Sequence, residues 1–326
     1  MSMFIDVEKP ATVTLPVKTQ DVLIVNNALP QPVGYGLNAP SDKKSVSDSI
    51  AKRLRLAPWQ VVTAAYQYMD NAKFFSDVSF YKKPLRKDRD WLVVDPLSEK
   101  VRNDFFENEN FDLLISIDRL LFNSTNESNK LEIGKMTSIL TFSAYLRDKA
   151  EPVIQTTIED SVKTYYPEVY FDGGVPYLNY EELVTEMIQH SSVRLGEKLG
   201  DYFAPSWDTA ERIYFVRNLS DATKMSDYLN QAKWIEAISD WTGAFDKAKK
   251  SVDKAKLATN IALAYEMKDE FNKAGEWAKE AKAFFQDASE NKYSKEISYL
   301  EEYIKALQER EKNNIKLNEQ YGVEKR

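Results

Sequence analysis

The stretch that most limits how this chain can fold is LATNIALAYEMKDEFNKAGEWAKEAKAFF, residues 257–285. Small residues recur in it at three- and four-residue spacings, which place them on one face of a helix, and aromatic residues stand beside them. Two helices pack closely where small side chains meet, while large side chains fill the grooves alongside. The stretch therefore predicts a helical hairpin with a short turn at residues 268–270.

The contact faces of this predicted hairpin follow from the same spacing. The first helix presents four residues on one side, namely Ala258, Ile261, Ala262 and Tyr265. The second helix presents Phe271, Ala274, Ala278 and Ala281. Burying each large side chain among them contributes about 1.5–3 kcal/mol. We therefore expect these faces to hold the hairpin together.

The preceding segment, MSDYLNQAKWIEAISDWTGAF, repeats the pattern in part. Tyr228, Trp234 and Ala237 precede Tyr265, Phe271 and Ala274 by the same offset. This alternation resembles the tetratricopeptide repeat (TPR), whose period is about 34 residues. The resemblance implies a short solenoid of stacked hairpins capped by a helix near residues 294–312. A helical bundle without repeat identity is the alternative.

The first two thirds of the chain mix strand and helix signals. QDVLIVNNA and FDLLISIDRLLF are apolar, β-branched runs typical of buried strands, and the two β-rich runs after residue 135 predict a hairpin. ATVTLP and WLVVDP predict further short strands, and Pro58 predicts a helix start. A helix is expected over 180–203, where Gly196 and Gly200 would let another element approach closely.

A change in composition near Leu219 marks the predicted domain boundary, since proline is absent beyond it and the pattern is helical to the end. The predicted fold class is α+β. An α/β domain with a mixed sheet and covering helices takes residues 1–218, and an all-α TPR-like domain with a capping helix takes 219–326.

Composition excludes several classes of chemistry. The chain has no cysteine and one histidine, which excludes thiol nucleophiles, cysteine-ligated zinc and multi-histidine metal sites. A net charge of −7 without a basic stripe argues against nucleic-acid binding. No apolar run is long enough to span a membrane. We predict no cofactor, no metal and no catalytic residue.

Three weaker signals remain. His190 lies beside Ser191 in a helix, but neighbouring helical residues point about 100° apart, so a structural role is favoured. Paired carboxylates, Asp112 with Asp118 and Asp88 with Asp90, would be needed by a hydrolase but are expected by chance among 51 acidic residues. Three tryptophans outside the repeats suggest a glycan platform or ordinary core positions: Trp59, Trp91 and Trp207.

Several segments together carry a wider resemblance. GEKLGDYFAPSWDTAERIYF, KWIEAISDW and NIALAYEMKDEFNKAGEWAKEA resemble a family of bacterial envelope lipoproteins without an assigned activity, which have an N-terminal α/β region and C-terminal TPRs. FIDVEKPATVTLP is similar to the start of their mature chains, after the lipidated cysteine. The resemblance implies a periplasmic or outer-membrane location and a lipid anchor in the precursor, although this chain has no cysteine to lipidate. A cytoplasmic location is the alternative.

The predicted function is a non-enzymatic protein–protein interaction or scaffold role in the cell envelope. The resemblance to TPRs places a partner-binding groove on the first helix of the hairpin, lined by Lys256, Thr259, Asn260, Leu263 and Met267. Asn260 stands where such repeats hydrogen-bond ligand backbone. The alternative for this face is docking onto the chain's own α/β domain, and the alternative function is glycan binding through exposed aromatic residues.

Overall fold

The computed structural model describes residues 1–37, 44–125, 132–165, 180–216 and 227–323. Its strands are β1 (Ser2–Lys9), β2 (Asp21–Asn26), β3 (Asp77–Phe80), β4 (Leu113–Thr125), β5 (Glu132–Leu146), β6 (Ile154–Tyr165) and β7 (Ser206–Ile213). Its helices are α1 (Lys44–Ala72), α2 (Glu99–Asn108), α3 (Tyr180–Phe203), α4 (Trp234–Lys247), α5 (Ser251–Glu266), α6 (Phe271–Ser289) and α7 (Ser294–Tyr321). A mixed sheet followed by helices confirms the α+β class.

The chain forms two compact units. The sheet unit is Ala11–Pro205, and the helical unit combines Met1–Pro10 with Ser206–Arg326. The predicted boundary between residues 218 and 219 lies outside the described residues. The first strand therefore groups with the helical unit rather than with the sheet that follows it.

The sheet unit is built on five strands in the order β3-β2-β4-β5-β6. β2 is parallel to β3 and β4, and β4, β5 and β6 are antiparallel neighbours. The apolar run of β2 supplies core residues on both faces of the sheet. Val22 and Ile24 pack in the core under α1 and α3. Leu23 and Val25 pack on the opposite face with Phe106 of α2. The predicted strands β2 and β4 and the β5–β6 hairpin are confirmed.

Close packing of α1 on α3 depends on two glycines. A Cβ atom built on Gly196 would lie 2.5 Å from the carbonyl oxygen of Val61 and 2.6 Å from Cβ of Ala64. A Cβ atom on Gly200 would collide with the ring of Tyr68. The predicted close approach at both glycines is confirmed.

Three local predictions were wrong. α1 begins at Lys44, so Pro58 lies inside the helix, and burial of neighbouring Leu54 and Ala57 stabilises the helix despite the missing N–H. ATVTLP forms no strand, because the N–H groups of Thr12 and Val13 bond the final carbonyls of α3. WLVVDP forms no strand either and lies in the loop before α2.

The helical unit contains the predicted hairpin. α5 and α6 are joined by residues 267–270, and the alanines between them are completely buried: Ala258, Ala262, Ala274, Ala278 and Ala281. Trp241 of α4 and Leu300 of α7 extend the same core. The hairpin and its contact faces are confirmed, and its identity as a TPR remains a prediction. In the described part of the chain no helix is long and apolar enough to cross a bilayer.

The helical unit also contains a two-stranded sheet that the sequence patterns did not reveal. β1 and β7 pair antiparallel, with Ser2 opposite Ile213 and Lys9 opposite Ser206. Ile5, Val7 and Arg212 on its inward face are buried. The partners are more than 190 residues apart in sequence, so no local pattern could join them.

Candidate functional site

The predicted binding face of α5 is filled by the chain itself. The side chain of Asn260 is completely buried, and its Oδ1 accepts the backbone N–H of Phe215 at 2.8 Å. Its Nδ2 donates to the carbonyl oxygen of Phe215 at 2.7 Å. One amide therefore satisfies both backbone groups of a residue just after β7, in the way the TPR resemblance implied for a bound partner.

The other predicted residues surround the same segment or lie in the core. Lys256 is half-buried, with its ammonium nitrogen 5.9 Å from the centre of the Phe215 ring. Thr259 is buried, and its hydroxyl donates to the carbonyl of Ala255 at 2.9 Å. Leu263 is also buried, whereas Met267 is half-buried against the helical core. A role of these residues in partner binding stays a prediction. In this structure the hydrogen-bonding groups of the Asn260 side chain are occupied by the backbone of Phe215.

A buried ionic cluster fixes β7 in this position. Glu266 at the end of α5 is completely buried, and its carboxylate accepts from Nε and Nη2 of Arg212 at 2.9 Å each. Tyr303 and Arg310, both on α7, donate to the same carboxylate at 2.7 Å each. The Arg310 guanidinium also lies over the Phe271 ring, 4.7 Å from its centre. Three elements, β7, α5 and α7, therefore meet at one carboxylate, and α6 packs against the cluster through Phe271.

Burial and the contacts with Arg212 shift the pKa of Glu266 in opposite directions. Burial alone would raise the pKa, because it disfavours the charged carboxylate, but the hydrogen bonds and positive charge of Arg212 outweigh it. The net result is a pKa below the usual value for glutamate. Burial and the neighbouring Glu266 carboxylate raise the pKa of Tyr303, so its hydroxyl stays protonated and donates.

The opposite side of β1 and β7 is exposed, and we call it the outward face. Besides the end pair of Ser2 and Ile213, antiparallel pairing places six residues on it, namely Phe4, Asp6, Glu8, Trp207, Thr209 and Glu211. Phe4 is 70% exposed and Trp207 is 69% exposed. The six residues include three carboxylates and no basic side chain, so the face combines two exposed aromatic rings with negative charge.

Two of the residue pairs weighed for catalysis, His190 with Ser191 and Asp112 with Asp118, do not come together in the structure. His190 is exposed whereas Ser191 is completely buried, so the two point to different surroundings. Asp112 and Asp118 are six positions apart along an extended chain, or about 20 Å, which is too far for a carboxylate pair. Among the described residues, no group of acidic, histidine or cysteine side chains is arranged to hold a metal.

Asp118 is nevertheless a notable buried acid. Its carboxylate accepts from the hydroxyls of Ser116 and Ser143 at 2.6 Å each and from Nδ2 of Asn27 at 3.1 Å. Burial raises its pKa, and the three hydrogen bonds partly offset that effect. Because Asn27 also donates to the carbonyl of Asp95, the network ties the end of β2 to the loop before α2.

The tryptophans considered for glycan binding differ in exposure. Trp59 is half-buried against the core of the sheet unit, and Trp91 is half-buried next to Tyr35. Trp207 projects from the outward face. Sequence patterns therefore identified one fully available ring of the three, and they missed Phe4, whose position depends on the pairing of β1 with β7.

The fold and these surfaces define a two-unit α+β protein with a mixed five-stranded sheet and a set of helical hairpins. Residues 19–215 match the profile of the family described as Domain of unknown function (DUF8603), and the chain belongs to this family. Residues 223–309 match a second profile, Domain of unknown function (DUF6340). None of the curated proteins is similar enough to the chain to count as a relative.

Proposed function

We propose that this is a non-enzymatic interaction protein that binds a basic segment of a partner protein on the outward face of β1 and β7. One observation carries the proposal: two aromatic side chains, Phe4 and Trp207, are each about 70% exposed on the same side of one strand pair. Exposed aromatic residues of this kind supply most of the binding energy in many interfaces.

Charge defines the kind of partner. Asp6, Glu8 and Glu211 lie next to the two rings in the strand register, and none of the outward-facing residues of β1 and β7 is basic. Lysine and arginine side chains are attracted both to carboxylates and to the faces of aromatic rings. The two rings are four positions apart along the strand direction, or about 13 Å, a distance that several residues of an extended basic segment span.

Rigidity supports the same role. Arg212 anchors β7 to the buried Glu266, and the N–H of Ile213 donates to the hydroxyl of Tyr299 at 3.0 Å. At the other end of the face, Tyr321 of α7 donates to Glu8. A binding surface that is ordered before association loses less conformational entropy on binding.

We further propose that the protein works in the bacterial cell envelope, as the resemblance to envelope lipoproteins implies. Fractionation of cells that carry the full gene tests this location. We expect the native product in the envelope fraction, and recovery in the cytosol of a product starting at Met1 would contradict it.

A double substitution tests the interaction surface. Replacing Phe4 and Trp207 with alanine is expected to abolish co-purification of the partner, because hot-spot aromatics contribute about 2 kcal/mol or more each. The measurement compares proteins recovered with tagged full-length chain from its own cells. Ile235→Ala is the matched control, because Ile235 is also an apolar side chain of the helical unit and is 69% exposed.

The co-purification experiment can support or refute the proposal. Loss of a basic partner from the double variant but not from Ile235→Ala supports the proposal, as does weaker capture at higher salt. Retention of the same partners by all three proteins would refute the role of the outward face.

Glycan binding is the second candidate function, and the exposure of Trp207 favours it because exposed indole rings stack on sugar faces. A glycan array probed with the wild type and Trp207→Ala separates the two. Binding that depends on Trp207 would favour the glycan, and equal signals from both proteins would exclude this ring as a sugar platform.

A further inference from the structure

The loops that follow β2 and β3 begin at the carboxyl ends of two neighbouring parallel strands in the sheet unit. The chain leaves the carboxyl end of β2 toward α1, which packs on one face of the sheet. It leaves the neighbouring strand β3 toward α2, which packs on the other face. In open sheets with parallel strands, ligands bind in crevices outside the carboxyl ends of the strands.

A cavity of about 440 Å³ lies between these connections. One side is lined by residues 29–33, which follow β2. Another side is lined by three residues that follow β3, namely Asp88, Arg89 and Trp91. Arg55 of α1 completes the lining. The volume lies within the range of about 300–1,000 Å³ that is typical of small-molecule sites.

The charged side chains that line this cavity differ in whether other residues of the chain already bind them. The Asp88 carboxylate accepts from Nε of Arg86 at 2.9 Å, from Nη2 of Arg86 at 2.7 Å and from the N–H of Asp90 at 2.9 Å. These hydrogen bonds lower the pKa of Asp88 to about 2. Within the described ranges, neither Arg55 nor Arg89 forms an ion pair, so the available charge in the cavity is positive.

Arg86 also holds the lining in place. Its side chain is 7% exposed, its Nη1 donates to the carbonyl of Val93 at 2.9 Å, and its Nη2 donates to that of Asp90 at 2.8 Å. Arg119 fixes the same loop by donating to the carbonyl of Leu92 at 2.9 Å. Trp91 is supported by Tyr35, with ring centres 5.1 Å apart. The loop therefore presents a half-exposed indole beside two guanidinium groups.

We propose that this cavity binds a small anionic ligand that carries a ring, of the class of sugar acids and sugar phosphates. Arg55 and Arg89 would hold the carboxylate or phosphate, since the planar guanidinium matches both anions in two-pronged hydrogen bonds. Trp91 would stack on the ring, and Asp88 would accept from its hydroxyls. This site lies in the sheet unit and does not depend on the functions proposed above.

Calorimetric titration of the full chain tests the site with three probes: glucuronate, glucose 6-phosphate and neutral glucose. We expect at least one anion to bind and glucose to bind at least about tenfold more weakly, since charge-assisted hydrogen bonds account for most of the affinity. The anion that binds more tightly distinguishes carboxylate from phosphate recognition.

Variants locate the binding in the cavity. Arg55→Ala with Arg89→Ala is expected to weaken binding of the anion about tenfold or more. Lys82→Ala with Lys83→Ala removes the same charge from exposed positions outside the lining and is expected to change affinity less than about twofold. Trp91→Leu, which keeps apolar volume without a ring, should also weaken binding, and unchanged melting temperatures confirm that each variant folds.

Two results would overturn the proposal. One is the absence of heat from both anions at millimolar concentration. The other is an affinity that the arginine and lysine double variants reduce equally, because that would indicate general charge attraction rather than a built site.

Discussion

Replacing Glu266 with alanine is expected to lower the free energy of unfolding of the helical unit by about 3–5 kcal/mol. The substitution leaves the guanidinium groups of Arg212 and Arg310 and the hydroxyl of Tyr303 without their shared acceptor. Urea denaturation followed by tryptophan fluorescence measures the loss. Glu302→Ala is the control, because Glu302 is 72% exposed and pairs with Lys305, which is also exposed, so we expect a change of less than about 1 kcal/mol.

The same cluster predicts a dependence of stability on pH. The folded pKa of Glu266 lies below its ordinary value, so the unfolded chain binds the proton more readily. The stabilisation is therefore fully present above about pH 5, the upper edge of ordinary glutamate titration, and is lost as pH falls through the folded pKa. The gap in stability between the wild type and Glu266→Gln should narrow on acidification. A constant gap would contradict the charged cluster.

Gly196→Ala is expected to destabilise the sheet unit by about 1–3 kcal/mol, because overpacking of a tight contact forces neighbouring backbone apart. The new methyl group would lie 2.5 Å from the Val61 carbonyl, where α1 and α3 touch. Thermal or urea unfolding of the full chain measures the effect.

The control for this substitution has the opposite expected sign. A Cβ atom on Gly275, within α6, meets nothing within 4 Å. Gly275→Ala should therefore stabilise its helix by about 0.5–1 kcal/mol through reduced chain entropy. Equal effects of the two substitutions would indicate that α1 and α3 do not pack as described.

Patterns within one element were sufficient to predict much of this fold. The alanine and aromatic spacing of residues 257–285 gave the α5–α6 hairpin, and the glycines of α3 gave the close contact with α1, because helical periodicity reports directly which side chains share a face. β2 was readable because it is a continuous apolar run, and β4 because apolar residues dominate its first ten positions. Errors arose where another part of the chain decided the conformation, as at Pro58 and at Thr12 and Val13.

The candidate site was only partly readable for the same reason. The repeat pattern predicted that Asn260 binds the backbone of a partner, which stays a prediction, and nothing local indicated that Asn260 hydrogen-bonds Phe215 of the same chain. The outward face depends on pairing of the first strand with one near residue 210, and the cavity near Trp91 depends on loops that follow two different strands. Spatial groupings of this kind are set by topology and not by any one segment.

The segment containing Phe215 occupies Asn260 on the α5 face, and we propose that the outward face is left to contact a partner. Photo-crosslinking residues introduced separately at positions 256 and 207 test this claim most directly in cells that carry the native gene. We predict crosslinks to a partner protein from position 207, and crosslinks only within the chain, to the segment containing Phe215, from position 256. Partner crosslinks from position 256 with none from position 207 would contradict it.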